Sequence, residues 1–238
     1  MIALAFDTAT DRCTVAATNG SRTAHRFIDG ARGHAGAIIG LTAEVLGEVG
    51  AVAADIGMIV MADGPGSFTG LRVAASVAKA LAWRREIVWR VAPSLLVRAA
   101  AHAPRQGGVV LAVSDALRGE VYAGSWYIEP GAVAMRHSPR AVAPAQLSTY
   151  GPVDVVVGSI PEGLMGGVRD ATGCEPVGGI AGLPDARTLL DLANRRDGTV
   201  VVSDPAAWQP DYGRPAEAQV KWESAHGRQL PAAAGIPR

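Results

Sequence analysis

The sequence predicts an α/β protein, and two observations carry this prediction. Apolar runs of strand length, such as residues 2–6 and 56–62, alternate with longer segments whose apolar residues recur at helical spacing, such as residues 38–49. The second half of the chain also begins as the first does, with a strand that ends in an aspartate, a short turn and another strand. These aspartates, Asp7 and Asp115, lie 108 residues apart, and such a repeat is typical of a duplicated domain.

Composition indicates an ordinary globular protein. Of 238 residues, 49% are hydrophobic and 18% are charged, which is enough apolar material for a core and too little charge for a disordered chain. The 22 basic and 22 acidic residues cancel, which argues against a protein that holds polyanions through its overall field but leaves room for a local basic patch. Cys13 and Cys174 lie far apart with no Cys or His at ligand spacing, so neither a disulfide framework nor a zinc site is predicted.

The sequence contains no membrane or secretion signal that we can identify. The first residues have no basic segment, and Asp7 interrupts their apolar run at once, so they do not resemble a signal peptide. No stretch approaches the about 18 uninterrupted apolar residues of a membrane-spanning helix. We therefore expect a cytoplasmic protein with no membrane partner.

The first half is predicted to start as a three-stranded meander. Its last two strands are joined at Asn19-Gly20, a strong hairpin signal, and Ser67 is a suitable N-cap for the second helix. The predicted order is strands at 2–6, 13–17 and 22–28, a helix from Gly33 to about 49, a strand at 56–62, a helix from 67 to about 85, a strand at 87–91 and a short helix after Pro93.

Residues 104–108 combine helix breakers and charge with no periodicity, so we place a boundary there. The first half then comprises residues 1–104 with the dimerisation helices described below, and the second, smaller half comprises residues 105–238. Beyond the boundary we predict strands at 110–115, 120–128, 153–157 and 199–202, a helix at 185–195, and an irregular Pro-rich tail from 204.

The glycine-rich loop between the strand at 56–62 and the next helix has two interpretations. Gly64, Gly66 and Ser67 open a helix, where free backbone N–H groups and the helix dipole favour a phosphate. The spacing matches neither a Walker loop nor a Rossmann fingerprint. Alternatively, the small residues allow a tight turn and close helix packing.

Asp7 and Thr8, at the end of the first strand, also have two interpretations. In a two-lobed fold a carboxylate from each opening hairpin can hold magnesium, and Asp115 would be the partner of Asp7. Alternatively, these short polar side chains satisfy the N–H groups of their own turns.

Other catalytic patterns are missing from the sequence. No two histidines are spaced i, i+4, and Ser67 lacks the Gly-x-Ser-x-Gly elbow of a nucleophilic serine. A basic stretch is either a solvated face or part of an RNA-facing or partner-facing patch; its members are Arg84, Arg85, Arg90, Arg98 and Arg105, against the single acid Glu86.

Four segments of the chain resemble the bacterial TsaB/YeaZ family, whose members are dimerisation subunits of the machinery that forms threonylcarbamoyladenosine in tRNA. The stretch GPGSFTGLR is highly specific, and together the segments span nearly the whole chain. They are AFDTAT at 5–10, GPGSFTGLR at 64–72, DALRGEVY at 115–122 and PDYGR at 210–214.

The resemblance implies an actin-like, sugar-kinase-like (ASKHA) fold of two RNase H-like halves, the second reduced. It also implies a paralogue of the catalytic subunit TsaD, which uses a metal-binding pair of histidines on one helix that this chain lacks. The implied role is therefore a non-catalytic subunit that pairs with TsaD, helps to recruit the ATPase TsaE, reaches tRNA through the complex and forms a homodimer when alone. No cofactor is implied for the isolated chain, whereas ATP and magnesium act at the level of the complex.

The resemblance places the dimer surface on the two long helices of the first half. The second of these helices is rich in Ala and Gly, which allows close approach of another helix. Candidate contacts are His34, Ile38, Leu41, Val45, Phe68, Leu71, Arg72, Ala75 and Ala78.

A competing hypothesis is an active nucleotide-dependent carbamoyl- or phosphotransferase that uses the cleft between the halves. Its magnesium–nucleotide site would be built from Asp7, Thr8, Gly64, Gly66, Ser67 and Asp115. The missing histidine pair favours the partner subunit over this enzyme. A peptidase is suggested only by an old label of the family, and the sequence shows no dyad, triad or metal motif for one.

Overall fold

A computed structural model describes residues 1–30, 34–214, 222 and 225–228. Short helices of the 3-10 type, at Ala53–Asp55, Pro144–Tyr150 and Gly179–Gly182, accompany the main elements. The strands are β1 Ile2–Asp7, β2 Arg12–Thr18, β3 Thr23–Asp29, β4 Ile56–Ala62, β5 Val88–Ala92, β6 Gly108–Asp115, β7 Val121–Glu129, β8 Ala132–Val142, β9 Val155–Ser159 and β10 Val200–Val201. The α-helices are α1 His34–Glu48, α2 Phe68–Ala82, α3 Ser94–Ala101, α4 Glu162–Thr172 and α5 Ala186–Ala193.

The strands form two sheets with a common plan. The first has the order β10-β5-β4-β1-β2-β3 and the second the order β8-β7-β6-β9. In the first sheet β1 pairs antiparallel with β2 and parallel with β4. In the second sheet β6 pairs in the same way, antiparallel with β7 and parallel with β9. The order β3-β2-β1-β4 is thus repeated as β8-β7-β6-β9. The predicted fold class, two RNase H-like units with the second reduced, is confirmed.

Helices and sheets alternate in layers. Helices α1 and α2 cover the outer face of the first sheet, where Leu4, Phe6 and Ile59 meet Ile38 and Ala78. Helices α3 and α5 lie between the two sheets and contribute to one shared core. The 3-10 helix Pro144–Tyr150 and α4 cover the far face of the second sheet. The described part of the chain contains no helix that is long and apolar enough to cross a membrane.

The predicted hairpin at Asn19-Gly20 is confirmed. The Asn19 side-chain oxygen accepts hydrogen bonds from the backbone N–H groups of Ser21 and Arg22, both at 2.9 Å. Gly20 takes the positive φ of 94° that a tight hairpin turn needs. Local turn chemistry therefore fixes the register of β2 and β3.

Some elements differ from the prediction. Helix α2 ends at Ala82 instead of about Arg85, and β9 is shifted to Val155–Ser159. Strand β8 and helix α4 were not predicted at all. Helix α5 and strand β10 follow the predicted boundary in sequence but pack on or pair with the first sheet, because α5 contacts β1 and β2 and β10 pairs with β5.

Candidate functional site

The glycine loop at 64–67 joins β4 to α2, and other parts of the chain fill the space beside it. A Cβ at Gly64 would lie 1.8 Å from the carbonyl oxygen of Asp211, and a Cβ at Gly66 would lie 2.3 Å from the carbonyl oxygen of Ala9. Ser67 caps α2, since its Oγ accepts a hydrogen bond from the Gly70 N–H at 3.2 Å. These contacts support the packing interpretation, because neighbouring backbone approaches both glycines closely and the Gly64 and Ser67 N–H groups already donate to Ser94 Oγ and to the Ala9 carbonyl oxygen.

The two aspartates of the repeat make the same local contact. Asp7 Oδ1 accepts a hydrogen bond from the Ala9 N–H at 2.7 Å, and Asp115 Oδ1 accepts one from the Leu117 N–H, also at 2.7 Å. Thr8 Oγ1 donates to the carbonyl oxygen of Gly70 at 2.7 Å and so ties the β1–β2 turn to α2. The side chains of these turns therefore stabilise backbone, as the second interpretation of Asp7 and Asp115 predicts.

A C-terminal segment, residues 204–214, lies across the glycine loop, and we call it the strap. The Asp211 N–H donates to the carbonyl oxygen of Asp63 at 2.8 Å. The ring of Tyr212 packs against Phe68 with centroids 4.7 Å apart. The family-like motif at 210–214 thus covers the family-like loop at 64–72, and the two motifs form one structural unit.

The strap also reaches the second half of the chain. Tyr122 on β7 donates its hydroxyl to the carbonyl oxygen of Tyr212 at 3.4 Å. Arg214 forms an ion pair with Glu120, next to β7. A Cβ at Gly213 would lie 2.6 Å from the Tyr122 ring. The strap therefore links the glycine loop to the hairpin of the second sheet.

Carboxylates dominate the electrostatics at this edge of the first sheet. Burial raises the pKa of Asp63 to about 7, and the nearby carboxylates of Asp211 and Asp7 add to the shift. Arg98 is 1% exposed and donates to the carbonyl oxygen of Val113 at 3.4 Å. Burial lowers the pKa of Arg98, and the Asp7 carboxylate opposes that shift. With its pKa of about 7 the Asp63 carboxyl is partly protonated near pH 7.

Two hydroxyl–histidine pairs were not predicted from the sequence. Thr14 Oγ1 lies 2.8 Å from His25 Nε2, and an Asp185 carboxylate oxygen lies 3.4 Å from the same nitrogen. A catalytic triad needs the acid on the opposite ring nitrogen, so this cluster does not form one. Ser125 Oγ lies 2.8 Å from His137 Nδ1, but Ser125 is fully buried and out of reach of a substrate.

The outer side of α1 and α2 carries an exposed apolar surface, and we call it the α1–α2 face. A groove of about 400 Å³ runs along it, and Ile39 at its edge is 67% exposed. A second hollow of about 430 Å³ follows α2 and shares Val77 with the first. The first is lined by Ile39, Thr42, Ala43, Leu46, Gly47, Ala51, Val52, Ala53, Val77 and Leu81, and the second by Phe68, Thr69, Arg72, Val73, Ser76 and Val77.

Comparisons with known proteins agree with this architecture. The family described as "TsaD: tRNA N6-adenosine threonylcarbamoyltransferase" matches residues 28–137. The Escherichia coli K12 tRNA threonylcarbamoyladenosine biosynthesis protein TsaB is 37% identical over 121 residues, which are 50% of this chain and 52% of that protein. The chain spans about half or less of the length of the curated relatives that it matches.

Two solved structures from Pseudomonas aeruginosa cover much more of the chain. One, described as similar to peptidase YeaZ, superposes with a TM-score of 0.73 at 26% identity over 90% of this chain and 99% of its own. The other, YeaZ, has a TM-score of 0.67 at 28% identity over 81% and 90% of the two chains. The TsaB relatives and the two YeaZ structures support a TsaB/YeaZ family protein. The family that the sequence motifs predicted is therefore confirmed.

The candidate contacts that the family resemblance suggested are divided between the surface and the core of this TsaB/YeaZ protein. Phe68 and Arg72 are exposed on the α1–α2 face, and Leu41 is partly exposed. Five others are buried and cannot touch a partner directly, because they pack against the first sheet or beneath the helices; they are Ile38, Val45, Leu71, Ala75 and Ala78. The side chain of His34 lies outside the described residues.

Sequence reasoning selected the inner side of these helices because the strongest helical periodicity belongs to core residues. The residues that it missed on the outer side include Ile39, Val73 and Val77. Gly36, Gly40 and Gly47 recur on the outer side of α1, and a Cβ at any of them would meet nothing within 4 Å. Their spacing, small residues four and seven apart, is the signal that could have identified this side.

The basic stretch does not form one patch. Arg85 donates to the carbonyl oxygens of Ala53, Ala54 and Ile56. Arg90 donates to the Thr199 hydroxyl. Since Arg98 is buried as well, most of the stretch stabilises the fold and does not present a common surface to RNA or to a partner.

Proposed function

We propose that this chain is the non-catalytic dimerisation subunit of the complex that forms N6-threonylcarbamoyladenosine next to the tRNA anticodon. In this proposal it pairs with the catalytic subunit TsaD through the α1–α2 face. The observation that carries the proposal is that face itself, a continuous apolar surface on two adjacent helices of a TsaB/YeaZ protein. Exposed apolar surfaces of this kind are typical of protein–protein contacts.

Two features of the α1–α2 face fit a helical partner. Gly36, Gly40 and Gly47 leave the backbone of α1 open, so that another helix can approach closely. Arg72 is exposed with its guanidinium carbon 4.5 Å from the Phe68 ring centroid, and within the described ranges no ion pair joins it to a carboxylate. An acidic side chain on the partner would complete this site, with the apolar groove beside it.

The closed glycine loop supports a non-catalytic role. Backbone carbonyls of Asp211 and Ala9 stand against the glycines, and the carboxylates of Asp63 and Asp7 lie nearby. A nucleotide at the loop would have to displace the strap. ATP and magnesium, the ATPase TsaE and the tRNA belong in this proposal to the assembled cytoplasmic complex, and the isolated chain pairs with itself through the same face.

Co-purification tests the proposal. Tagged chain is mixed with TsaD and TsaE, with and without ATP, and the retained subunits are measured. Ile39→Arg places a charge in the apolar groove without disturbing the core, so it should abolish retention of TsaD. Val200→Arg, at an exposed position of β10 that is 68% accessible, is the matched control and should retain TsaD like the wild type. Retention of TsaD by Ile39→Arg would exclude the α1–α2 face.

One observation supports the competing hypothesis of an active nucleotide-dependent transferase. A pKa of about 7 places the Asp63 carboxyl in the range of a general base, and it lies beside the glycine loop. Threonylcarbamoyl transfer by the purified chain that is lost on Asp63→Asn would favour this hypothesis over the partner subunit.

A further inference from the structure

The outer strand of the second sheet carries cationic side chains and no acidic ones. The chain has no Asp or Glu at residues 130–153, although acids and bases are equal in number overall. Within β8, Arg136 and Arg140 are exposed and His137 is partly exposed. None of the ion pairs found among the described residues joins either arginine to a carboxylate. The edge at β8 is therefore positively charged without an internal counter-charge.

Two bulges bring His137 and Arg140 to one side of the sheet. The pairing of β7 with β8 shifts on either side of Ser125, and each shift inserts an extra residue into β8. In a regular strand His137 and Arg140, three positions apart, would face opposite sides of the sheet. Here the His137 ring centroid lies 4.4 Å from that of Tyr150, and the Arg140 guanidinium carbon lies 5.8 Å from the same ring. The bulges turn both side chains to one face, as bulges commonly do beside functional sites.

The edge of β8 is also open. Apart from a bridge between Ala132 and Arg196, no strand in the described part of the chain pairs with its outer side. Charges and a proline on an edge strand prevent pairing with other chains, and Pro139 and either sign of charge would serve that purpose. Protection against pairing does not require acidic residues to be absent from residues 130–153, so it does not explain their absence. Arg196 adds a cation at the start of the strand, offset only by the exposed Asp197 at 3.9 Å.

We propose that β8, together with the adjoining 3-10 helix Pro144–Tyr150, contacts the phosphate backbone of an RNA. Exposed arginines such as Arg136 and Arg140 are the groups that proteins use for phosphates. Tyr127 on the neighbouring strand, which pairs with Ala134 of β8, is 37% exposed and can stack on a base or ribose. An acidic protein segment would also match the charge, and the test below distinguishes it from RNA. This inference rests on the proposed function, because a tRNA-modifying complex supplies the RNA.

Binding of the full chain to an unmodified tRNA transcript, measured at several salt concentrations, tests this inference. Arg136→Glu/Arg140→Glu should weaken binding at low salt by at least about tenfold and reduce the slope of log affinity against log salt by about 2. The affinity of Arg136→Gln/Arg140→Gln for the transcript should lie between that of the glutamate variant and that of the wild type. Arg22→Glu/Arg105→Glu, two exposed arginines elsewhere with the same charge change, should bind like the wild type. Thermal unfolding of each variant checks that it is folded.

Equal binding by Arg136→Glu/Arg140→Glu and the control, or no binding of the wild type at low salt, would overturn the inference. Binding of a poly-glutamate peptide but not of the transcript, lost in the same variant, would overturn it in favour of an acidic protein. The variant should still retain TsaD, because β8 is not part of the α1–α2 face. A variant that loses RNA binding but retains TsaD would therefore support this inference without testing the proposed function. Failure of the wild type to retain TsaD would contradict only the proposed function.

Discussion

The carbonyl oxygen of Asp211 occupies the space beside the Cα of Gly64, 1.8 Å from where a Cβ would stand. Two residues 147 positions apart are therefore in direct contact. A side chain at position 64 is excluded both by the Asp211 carbonyl oxygen and by the φ of 117°, so glycine is required there. The glycine-rich loop of the sequence is thus explained by what packs on it. This relationship leads to predictions about stability, nucleotide binding and pH dependence.

Gly66→Ala should destabilise the fold by about 1 kcal/mol or more, because the new Cβ would lie 2.3 Å from the Ala9 carbonyl oxygen. Gly66, unlike Gly64, does not have a positive φ, so the cause is this contact and not backbone strain. Chemical denaturation measures the change. Gly163→Ala in α4, where a Cβ meets nothing within 4 Å, is the control and should leave stability unchanged or raise it. An equal response of the two variants would contradict the packing account.

The wild-type melting temperature should not change on adding magnesium and ATP. A ligand that binds only the folded state raises the melting temperature by mass action, but here the strap packs against the loop at which a phosphate would bind. Differential scanning fluorimetry of the isolated chain measures this. A clear rise with the nucleotide that disappears in Gly66→Ala would show that the loop cradles phosphate.

Asp63 should make the fold less stable as pH rises from about 4 to about 7. The folded state holds this proton with a pKa of about 7, whereas the unfolded chain loses it near the ordinary aspartate pKa of 3.8. The contribution is therefore full below about pH 4, declines as pH rises and is lost above about pH 7. Asp63→Asn cannot lose the proton, so its melting temperature should exceed that of the wild type by several degrees at pH 8 and by less at pH 5.

Asp170→Asn, at a side chain that is 79% exposed, is the control for this pH dependence. Its melting temperature should follow the wild type at both pH values. A constant difference between Asp63→Asn and the wild type across this range would show that Asp63 is ionised in the folded state.

Ala78→Asp should unfold the chain and not merely prevent pairing. Ala78 is fully buried between α2 and the first sheet, and a carboxylate there would have no partner to offset its desolvation. Circular dichroism at 25 °C should show loss of structure, while Ile39→Arg should keep the wild-type spectrum. A folded, monomeric Ala78→Asp would mean that α2 is packed differently from the arrangement described here.

Elements whose signals are local were predictable from sequence. The hairpin at Asn19-Gly20 and the cap at Ser67 depend on side chains next to the backbone that they satisfy, and both were predicted. Strand β8 was missed because its two bulges disrupt the alternation of apolar and polar residues, and because Pro139 is unusual inside a strand. Helix α4 was missed because Gly163, Gly166 and Gly167 lower its helix propensity, and packing against the second sheet decides its form.

The candidate site was predictable only in part, since it depends on contacts between distant segments. The motifs at 64–72 and 210–214 were found as motifs, but nothing in either segment predicts that Tyr212 packs on Phe68. The sides of α1 and α2 were confused because Ile38 and Ile39 are equally apolar, and only the position of the sheet decides that the first is buried and the second 67% exposed.

The return of α5 and β10 to the first sheet determines how this protein can be dissected. A fragment that ends at residue 104 would lack the strand that covers β5 and the helix that packs on β1 and β2. It would also expose the apolar core that α3 shares with both sheets, including Leu95 and Leu96. Although the two halves repeat one strand order, each depends on the other for its core, and neither half should be obtainable as a separately folding piece.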